Sequence, residues 1–314
     1  MVRMGLAMIR DSDLNNSWLK NTMADTSQPL DIGALERRLS RHLTALVRER
    51  DPYIASGGHQ LVQHYIREEL AQIGTVECHT FQVRGREHHN WILKLPSRGA
   101  QQHIAPLLVG AHYDAVPGTP GADDNASGVA ALLELARYAN EHPPLRPLWC
   151  VAFDMEEYGL LGSRAYGQTL KAQGQAIRLM LSLEMLGYCD PTPKSQRYPT
   201  PIMNVLYPSR GDFIGLIGNL GSLFDLIKLK QSILKAGVAC EWLPVPLRGH
   251  LIPETRLSDH APFWDLGYRA AMVTDTSFLR NPHYHKTSDR IETLDLNFLT
   301  QVTLGLMVGI TAFL

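Results

Sequence analysis

The sequence predicts an α/β protein with a mostly parallel central sheet flanked by helices on both faces. Two observations carry that expectation. From residue 106 onward, short apolar runs at 106–111, 148–153, 178–183 and 269–274 alternate with amphipathic segments of helical length. The runs are continuously apolar, not alternating, which means strands buried on both faces, as in a parallel sheet covered on each side. The chain has 314 residues, 45% hydrophobic and 19% charged, enough apolar material for a sizeable core.

Residues 1–30 are polar and expected to form a poorly ordered tail. The start, MVRMGLAMIRDSD, has too short an apolar run before Arg10 and Asp11 for a secretory signal, and Met23 is an alternative start. The default expectation is therefore a cytoplasmic protein, with export left open. Residues 31–314 read as one catalytic domain.

Helices are expected at 31–50 and 58–73, the second carrying Leu61, Val62, Tyr65, Ile66, Leu70 and Ile73 at helical spacing. Strands come next at 76–83 and 90–95, with Gly85 marking the turn between them. Further helices are expected at 127–140, 160–172 and 213–236. The stretch 190–211 is proline-rich and reads as the start of an insertion near the site, extending over roughly 190–257. The closing stretch, 296–314, has no charge and by length suits a membrane span. Asn297, Thr300, Gln301, Thr303, Gly305 and Gly309 interrupt it and no basic flank succeeds it, so a buried helix covering the sheet is the better reading.

The net charge is −1, without long runs of either sign, so no electrostatic footprint points to nucleic acid or an anionic membrane as partner. Cys78, Cys150, Cys189 and Cys240 lie far apart with no zinc-type spacing, and Cys150 sits in an apolar run as a buried free thiol.

In open parallel sheets, ligands bind outside the carboxyl ends of the strands. The residues just past each apolar run are therefore informative. His112 and Asp114 come after the first, and Asp124 lies beyond a loop of glycines and prolines. Asp154, Glu156 and Glu157 come after the second, Glu184 ends the third, and His283 and His285 lie beyond the fourth. Taken singly, each is as readily a helix cap or a solvated loop residue. Together, imidazoles and carboxylates at consecutive strand ends suit a hard or borderline divalent cation, and zinc in particular. A carboxylate-rich set of this size suggests two ions, since one tetrahedral zinc needs only four ligands.

The motifs HYD, ADDNASG, EEYGLLGS, EMLG, SDHAPF and YHKTSD, in this order, resemble the zinc aminopeptidase family with two co-catalytic metals, which also contains glutaminyl cyclases and carboxypeptidases. The resemblance runs from about Gly58 to the C-terminus and is loose over 190–257. It implies the zinc-exopeptidase fold, two Zn²⁺ per chain, and a peptide or small aminoacyl substrate cleaved at its N-terminal bond. It further implies that Asp124 bridges the metals and is succeeded by a cis peptide. His112 and Glu184 would complete one site, and Glu157 and His285 the other. Glu156 would be the general base, Asp114 would orient His112, and Asp259 would be an outer partner. Tyr284 matches a tyrosine that hydrogen-bonds the reaction intermediate in some members. Glu184 departs from the aspartate found in many of them, which puts the geometry of that metal in doubt.

The nearest alternative is a glutaminyl-peptide cyclotransferase with one zinc on Asp124, Glu157 and His285. The cyclases typically lack DNASG and have tryptophan where this chain has Tyr284. A non-catalytic binding protein on the same fold is a further alternative, but it would be expected to have lost ligands. No GxSxG elbow stands after any strand, which disfavours a serine hydrolase. The pocket for the cleaved residue is expected from 190–257, where Tyr207, Phe213 and Trp242 are as consistent with core as with lining.

Overall fold

The structure is a computed structural model and describes residues 30–99 and 104–313. The expected N-terminal tail, Leu30 apart, and any leader within it lie outside the described residues. Two helices come first, α1 (Ile32–Leu46) and α2 (Ser56–Ala71), then the hairpin β1 (Val76–Val83) and β2 (Arg86–Leu95). The chain then runs β3 (Leu107–His112), α3 (Gly128–Glu141), β4 (Leu148–Phe153), α4 (Leu161–Ala172) and β5 (Leu179–Glu184). A short turn of helix α5 (Met203–Leu206) precedes β6 (Phe213–Asn219), α6 (Leu223–Lys235) and β7 (Ala239–Val245). The last elements are α7 (His260–Asp265), β8 (Ala270–Thr274) and α8 (Leu296–Phe313).

All eight strands form one sheet in the order β1-β2-β4-β3-β5-β8-β6-β7. The four central strands, β4, β3, β5 and β8, are mutually parallel. The β1–β2 hairpin joins antiparallel through β2, while β6 joins antiparallel to β8 and parallel to β7. The parallel centre is what lines up four strand ends along one edge of the sheet.

The continuous hydrophobicity of these strands has a two-sided explanation. Leu107, Val109 and Ala111 of β3 point into a core shared with α1, α2, α3, α6 and α8. Leu108, Val151, Phe153 and Met180 point into a second core closed by Tyr166 and Leu170 of α4 and Phe263 and Trp264 of α7. Gly110 permits the packing on that second face, because a Cβ there would come within 2.9 Å of Phe153 Cδ2 and closer still to its Cε2.

α1 shows how local sequence sets its own limits. The Asp31 carboxylate caps it, accepting from the N–H of Ala34 at 2.9 Å, and Leu35, Leu39, Leu43 and Leu46 form its buried stripe. The sequence leads one to expect this helix to reach Arg50, yet it stops at Leu46, with Val47 extended. Arg50 instead turns inward and is 1% exposed. Its tertiary bonds outweigh a helical periodicity that is neutral at its end.

The expected helix at 213–236 is corrected. Its first part, FIGLIGN, is strand β6, and the helix begins only at Leu223 after a tight turn. Gly215 and Gly218 weaken a helix there, and so short an apolar run cannot be assigned by periodicity alone. β7 has no counterpart among the expected strands. It carries Pro244 and is half-buried, which suits its place at the sheet edge. β2 also begins earlier than expected, at Arg86, because the polar residues REHH have no apolar signal but pair in register with β1. Leu299, Val302, Leu306, Met307 and Ile310 of α8 are buried in the first core. Among the described residues no helix is long and apolar enough to cross a membrane.

Candidate metal centre

His112 is the last residue of β3 and Glu184 the last of β5. Glu156 and Glu157 occupy the turn after β4, and His285 lies in the loop after β8. Asp124 reaches the same edge on the loop between β3 and α3, where the Asp124–Asn125 peptide is cis, as the resemblance implies. The residues expected at the site therefore meet at one place.

The distances divide them into two groups around one carboxylate. Asp124 Oδ1 lies 3.2 Å from His112 Nε2, and Glu184 Oε2 lies 3.6 Å from the same nitrogen. Asp124 Oδ2 lies 3.1 Å from His285 Nε2, and Glu157 Oε2 lies 3.4 Å from that nitrogen. The ligand atoms of His112, Asp124 and Glu157 fall within 4.8 Å of one another, and so do those of His112, Glu156 and Glu184. Glu156 thus stands close to the cluster without belonging to either pair of contacts around Asp124.

Burial makes this concentration of charge costly unless a cation shares it. His112, Asp124 and Glu184 are buried, Glu156 and Glu157 half-buried, and His285 exposed. Burial and the charge of Asp124 push the Glu157 carboxyl up to about 7, against its His285 partner. Burial likewise lifts Glu156 well above the ordinary carboxyl value, with Glu184 and Glu157 adding to it against His112. Burial alone would lower His112, but Glu156 and Glu184 outweigh it and raise the imidazole well above its usual value. Both ring nitrogens of His112 and Oε1 of Glu157 are buried without a hydrogen-bond partner among the described residues. Unpaired ligand atoms in a carboxylate-rich cluster fit a divalent ion, and the donor set of two imidazoles and several carboxylates fits zinc.

The supports of the site are mostly residues that sequence reasoning passes over. Asp114, expected to orient His112, has Oδ1 3.4 Å from His112 Nδ1. The same carboxylate also accepts the backbone N–H groups of Glu156 and Glu157, both at 3.1 Å. Asn125 Oδ1 accepts from Met185 N at 3.0 Å while its Nδ2 donates to Leu183 O at 2.8 Å, stitching the loop to the end of β5. Asp289 accepts from Asp123 N and Asp124 N at 2.9 and 3.1 Å. Ser258 Oγ donates to Glu184 Oε2 at 2.7 Å.

Asp123 is a buried hub. It accepts from Gly187 N at 2.9 Å and from Asn281 Nδ2 at 2.7 Å. Two adjacent aspartates give no sequence signal that separates the place of Asp123 from that of Asp124. Met155, Met185 and His285 all have positive φ, at 60°, 52° and 56°. Left-handed non-glycine residues, two at strand ends and one in the loop after β8, are a pattern that concentrates at functional sites.

Asp259 is buried beside the cluster. Burial pushes its carboxyl up to about 7, against the pull of His112. The Tyr284 ring stacks on His285 with centroids 3.7 Å apart. Asp154 and His283, included with the strand-end groups, are spent elsewhere. Asp154 is held by His59 Nε2 at 2.7 Å and His88 Nδ1 at 3.1 Å, and His283 pairs with Ser288 at 3.0 Å.

The cluster opens into a cavity. Asp124, Glu156, Glu157, Glu184, Tyr284 and His285 line one end. Tyr207, Phe213 and Trp242 line it as well, with Met203, Leu243 and Phe278 adding apolar surface. An apolar chamber ending in a few convergent polar groups is the common form of a small-ligand site.

A family model described as peptidase family M28 matches residues 90–208. The uncharacterized protein YfbL of Escherichia coli (strain K12) is 37% identical over 212 residues, 64% of this chain and 65% of that protein. Leucine aminopeptidase 1 of Uncinocarpus reesii is 28% identical over 246 residues, 70% of this chain and 55% of that protein. The match therefore spans less than two thirds of the length of these relatives. Among solved structures, BSAP, a zinc aminopeptidase from Bacillus subtilis, superposes with a TM-score of 0.55 at 25% identity, over 72% of this chain and 50% of that one. Macrostomum lignano glutaminyl cyclase superposes with a TM-score of 0.66 at 17% identity, over 98% of this chain and 94% of that one. At that identity the cyclase likeness speaks for the fold alone.

Proposed function

This chain is a zinc aminopeptidase-type member of the M28 peptidases, and from that premise we propose that it hydrolyses N-terminal peptide bonds with two zinc ions. The observation that carries the reading is the division of the Asp124 carboxylate, one oxygen toward His112 and the other toward His285. A side chain placed between two such groups is suited to be shared. One ion would be held by His112, Glu184 and Asp124, the other by Glu157, His285 and Asp124.

When bound, zinc supplies Lewis acidity, polarising a carbonyl oxygen and making water a stronger acid. The remaining work falls to the chain's own residues. Glu156 takes the proton of the attacking water as its oxygen adds to the scissile carbonyl carbon. The same proton passes to the leaving amine as the C–N bond breaks. General base catalysis of this kind contributes roughly 10²–10⁴ in rate. Tyr284, held flat against His285, donates its phenolic hydrogen to the carbonyl oxygen as charge grows there. The free α-amine of the substrate is taken by Glu156 or Glu184.

Residues 31–314 act as one catalytic unit in this reading. The 190–257 stretch supplies β6, β7 and the wall with Tyr207, Phe213 and Trp242, which receives the side chain of the residue released. Asp114 and Asp259 back the ligands from behind.

The fold is equally that of a glutaminyl cyclase, so fold alone does not choose between the two chemistries. DNASG and Tyr284 favour the peptidase. The deciding assay offers aminoacyl chromogenic substrates beside an N-terminal glutaminyl peptide, with and without chelator. Chelator-sensitive release of the chromogen supports the peptidase, and cyclisation of the glutaminyl peptide without such release supports the cyclase. No chelator-sensitive reaction on either would remove both readings.

A further inference from the structure

Arg50 precedes the stretch matched by the family model, in a loop that is neither helix nor strand. It is one of the largest fully buried side chains, and its guanidinium makes no hydrogen bond to a carboxylate among the described residues. It donates instead to backbone carbonyls. Nε donates to Tyr113 O at 2.8 Å and Nη1 to Pro120 O at 2.6 Å. Nη2 donates to Gly121 O at 2.8 Å and to Asp124 O at 3.1 Å, and Nη1 makes a longer contact with Arg48 O at 3.3 Å.

Four of these acceptors lie on the connection from the end of β3 to Asp124, so one rigid fork fixes the path of that loop. The loop is shaped to admit it. Gly121 has φ 60°, and a Cβ there would stand 2.7 Å from both terminal Arg50 nitrogens and collide with the Asp124 carbonyl oxygen. From the other side Asp289 takes the N–H groups of Asp123 and Asp124. The backbone at Asp124 is thereby gripped on its carbonyl by residue 50 and on its amide by residue 289. An arginine stays charged even when buried, so the grip also puts a cation beneath the acidic cluster.

We propose that Arg50 is a positioning residue for the shared metal ligand, holding the Asp124 backbone so that its two carboxylate oxygens address two ions at once. This inference rests on the two-zinc reading of the site. It makes the segment before the hairpin part of the metal centre, although that segment contributes no ligand. Lysine keeps the charge but loses the fork, and its ammonium has three N–H groups for four carbonyls.

The test compares the wild-type chain with Arg50→Lys and Arg50→Ala, measuring zinc per chain and zinc affinity by competition with a chromogenic chelator. Circular dichroism and thermal unfolding report the fold. Both variants are expected to lose about 10–100-fold in zinc affinity, the usual effect of removing an outer support of a ligand. Millimolar guanidinium is expected to restore part of the affinity of Arg50→Ala, and urea at the same concentration to restore none. Folded variants with wild-type zinc affinity would overturn the inference. So would variants that fail to fold at all, since Arg50 would then be a core residue only. A wild-type chain that takes up no zinc would instead defeat the metal reading itself, and the inference with it.

Discussion

Asp114 accepts the backbone N–H of Glu157 on Oδ2 at 3.1 Å. Its other oxygen accepts the N–H of Glu156 at 3.1 Å and stands 3.4 Å from His112 Nδ1. One carboxylate thus ties the end of β3 to the turn after β4 and sets His112 and Glu156 in one frame. Asparagine keeps the shape but offers one acceptor where two are used, and its NH₂ would face an N–H donor. Asp114→Asn is expected to fold and to lose about 10–100-fold in zinc affinity by chelator competition. Unchanged affinity would remove Asp114 from the support of the site.

Glu156 and Glu157 are neighbours in sequence with separate expected roles. Glu156→Gln should lower kcat by roughly 10²–10⁴ while zinc content stays at the wild-type level. Glu157→Gln should lose zinc, because one of two oxygens that face His285 becomes an amide. Steady-state kinetics beside metal analysis of the two variants separates the roles. Two variants with normal metal and near-normal rates would disprove both.

The far wall of the cavity should set which N-terminal residue is released. Trp242 lines the cavity, and its backbone carbonyl accepts the Tyr207 hydroxyl at 3.1 Å. Trp242→Ala keeps that carbonyl and removes only ring surface. KM for substrates with bulky apolar first residues is expected to rise about tenfold, as for one or two unburied methylenes, with zinc content unchanged. An unaltered ranking across an aminoacyl panel would place selection elsewhere.

A link between α1 and α3 should make stability depend on acid pH. Glu134 is 1% exposed and accepts from Arg38 Nε at 2.9 Å and Arg137 Nε at 3.0 Å, with His42 Nε2 3.2 Å away. Burial raises its pKa, but the bonds to His42 and Arg38 win and hold it at about 2, against an ordinary 4.5. Because the folded value is depressed, the stabilisation is complete above the ordinary value and is lost as pH falls through about 2. Glu134→Gln should cost at most about 3 kcal/mol at neutral pH by urea unfolding. The gap to wild type should close in acid, and a constant gap would contradict the assignment.

Sequence and structure agree most where strands end and least where side chains reach across the chain. Continuous apolar runs such as 148–153 carry enough signal to place the parallel centre, and the order of polar groups after them locates His112, Glu157 and Glu184. β6 reads as helix in the sequence because a short apolar run has no period of its own. β7 escapes notice because an edge strand with a proline need not be apolar. Arg50 and Asp289 are illegible for another reason. Each acts on a loop far from it in sequence: Arg50 sits in none of the motifs, and Asp289, the last residue of YHKTSD, carries no sign there of the loop that it holds. Asp123 illustrates the limit within a motif, since only its partners Gly187 and Asn281 distinguish it from Asp124.

The central claim is that Asp124 is shared by two ions, and metal stoichiometry tests it most directly. Atomic spectroscopy of the protein after dialysis against trace zinc is predicted to give two zinc ions per chain, falling to one or none in Asp124→Ala. One ion per chain in the wild-type protein, or two in Asp124→Ala, would contradict it.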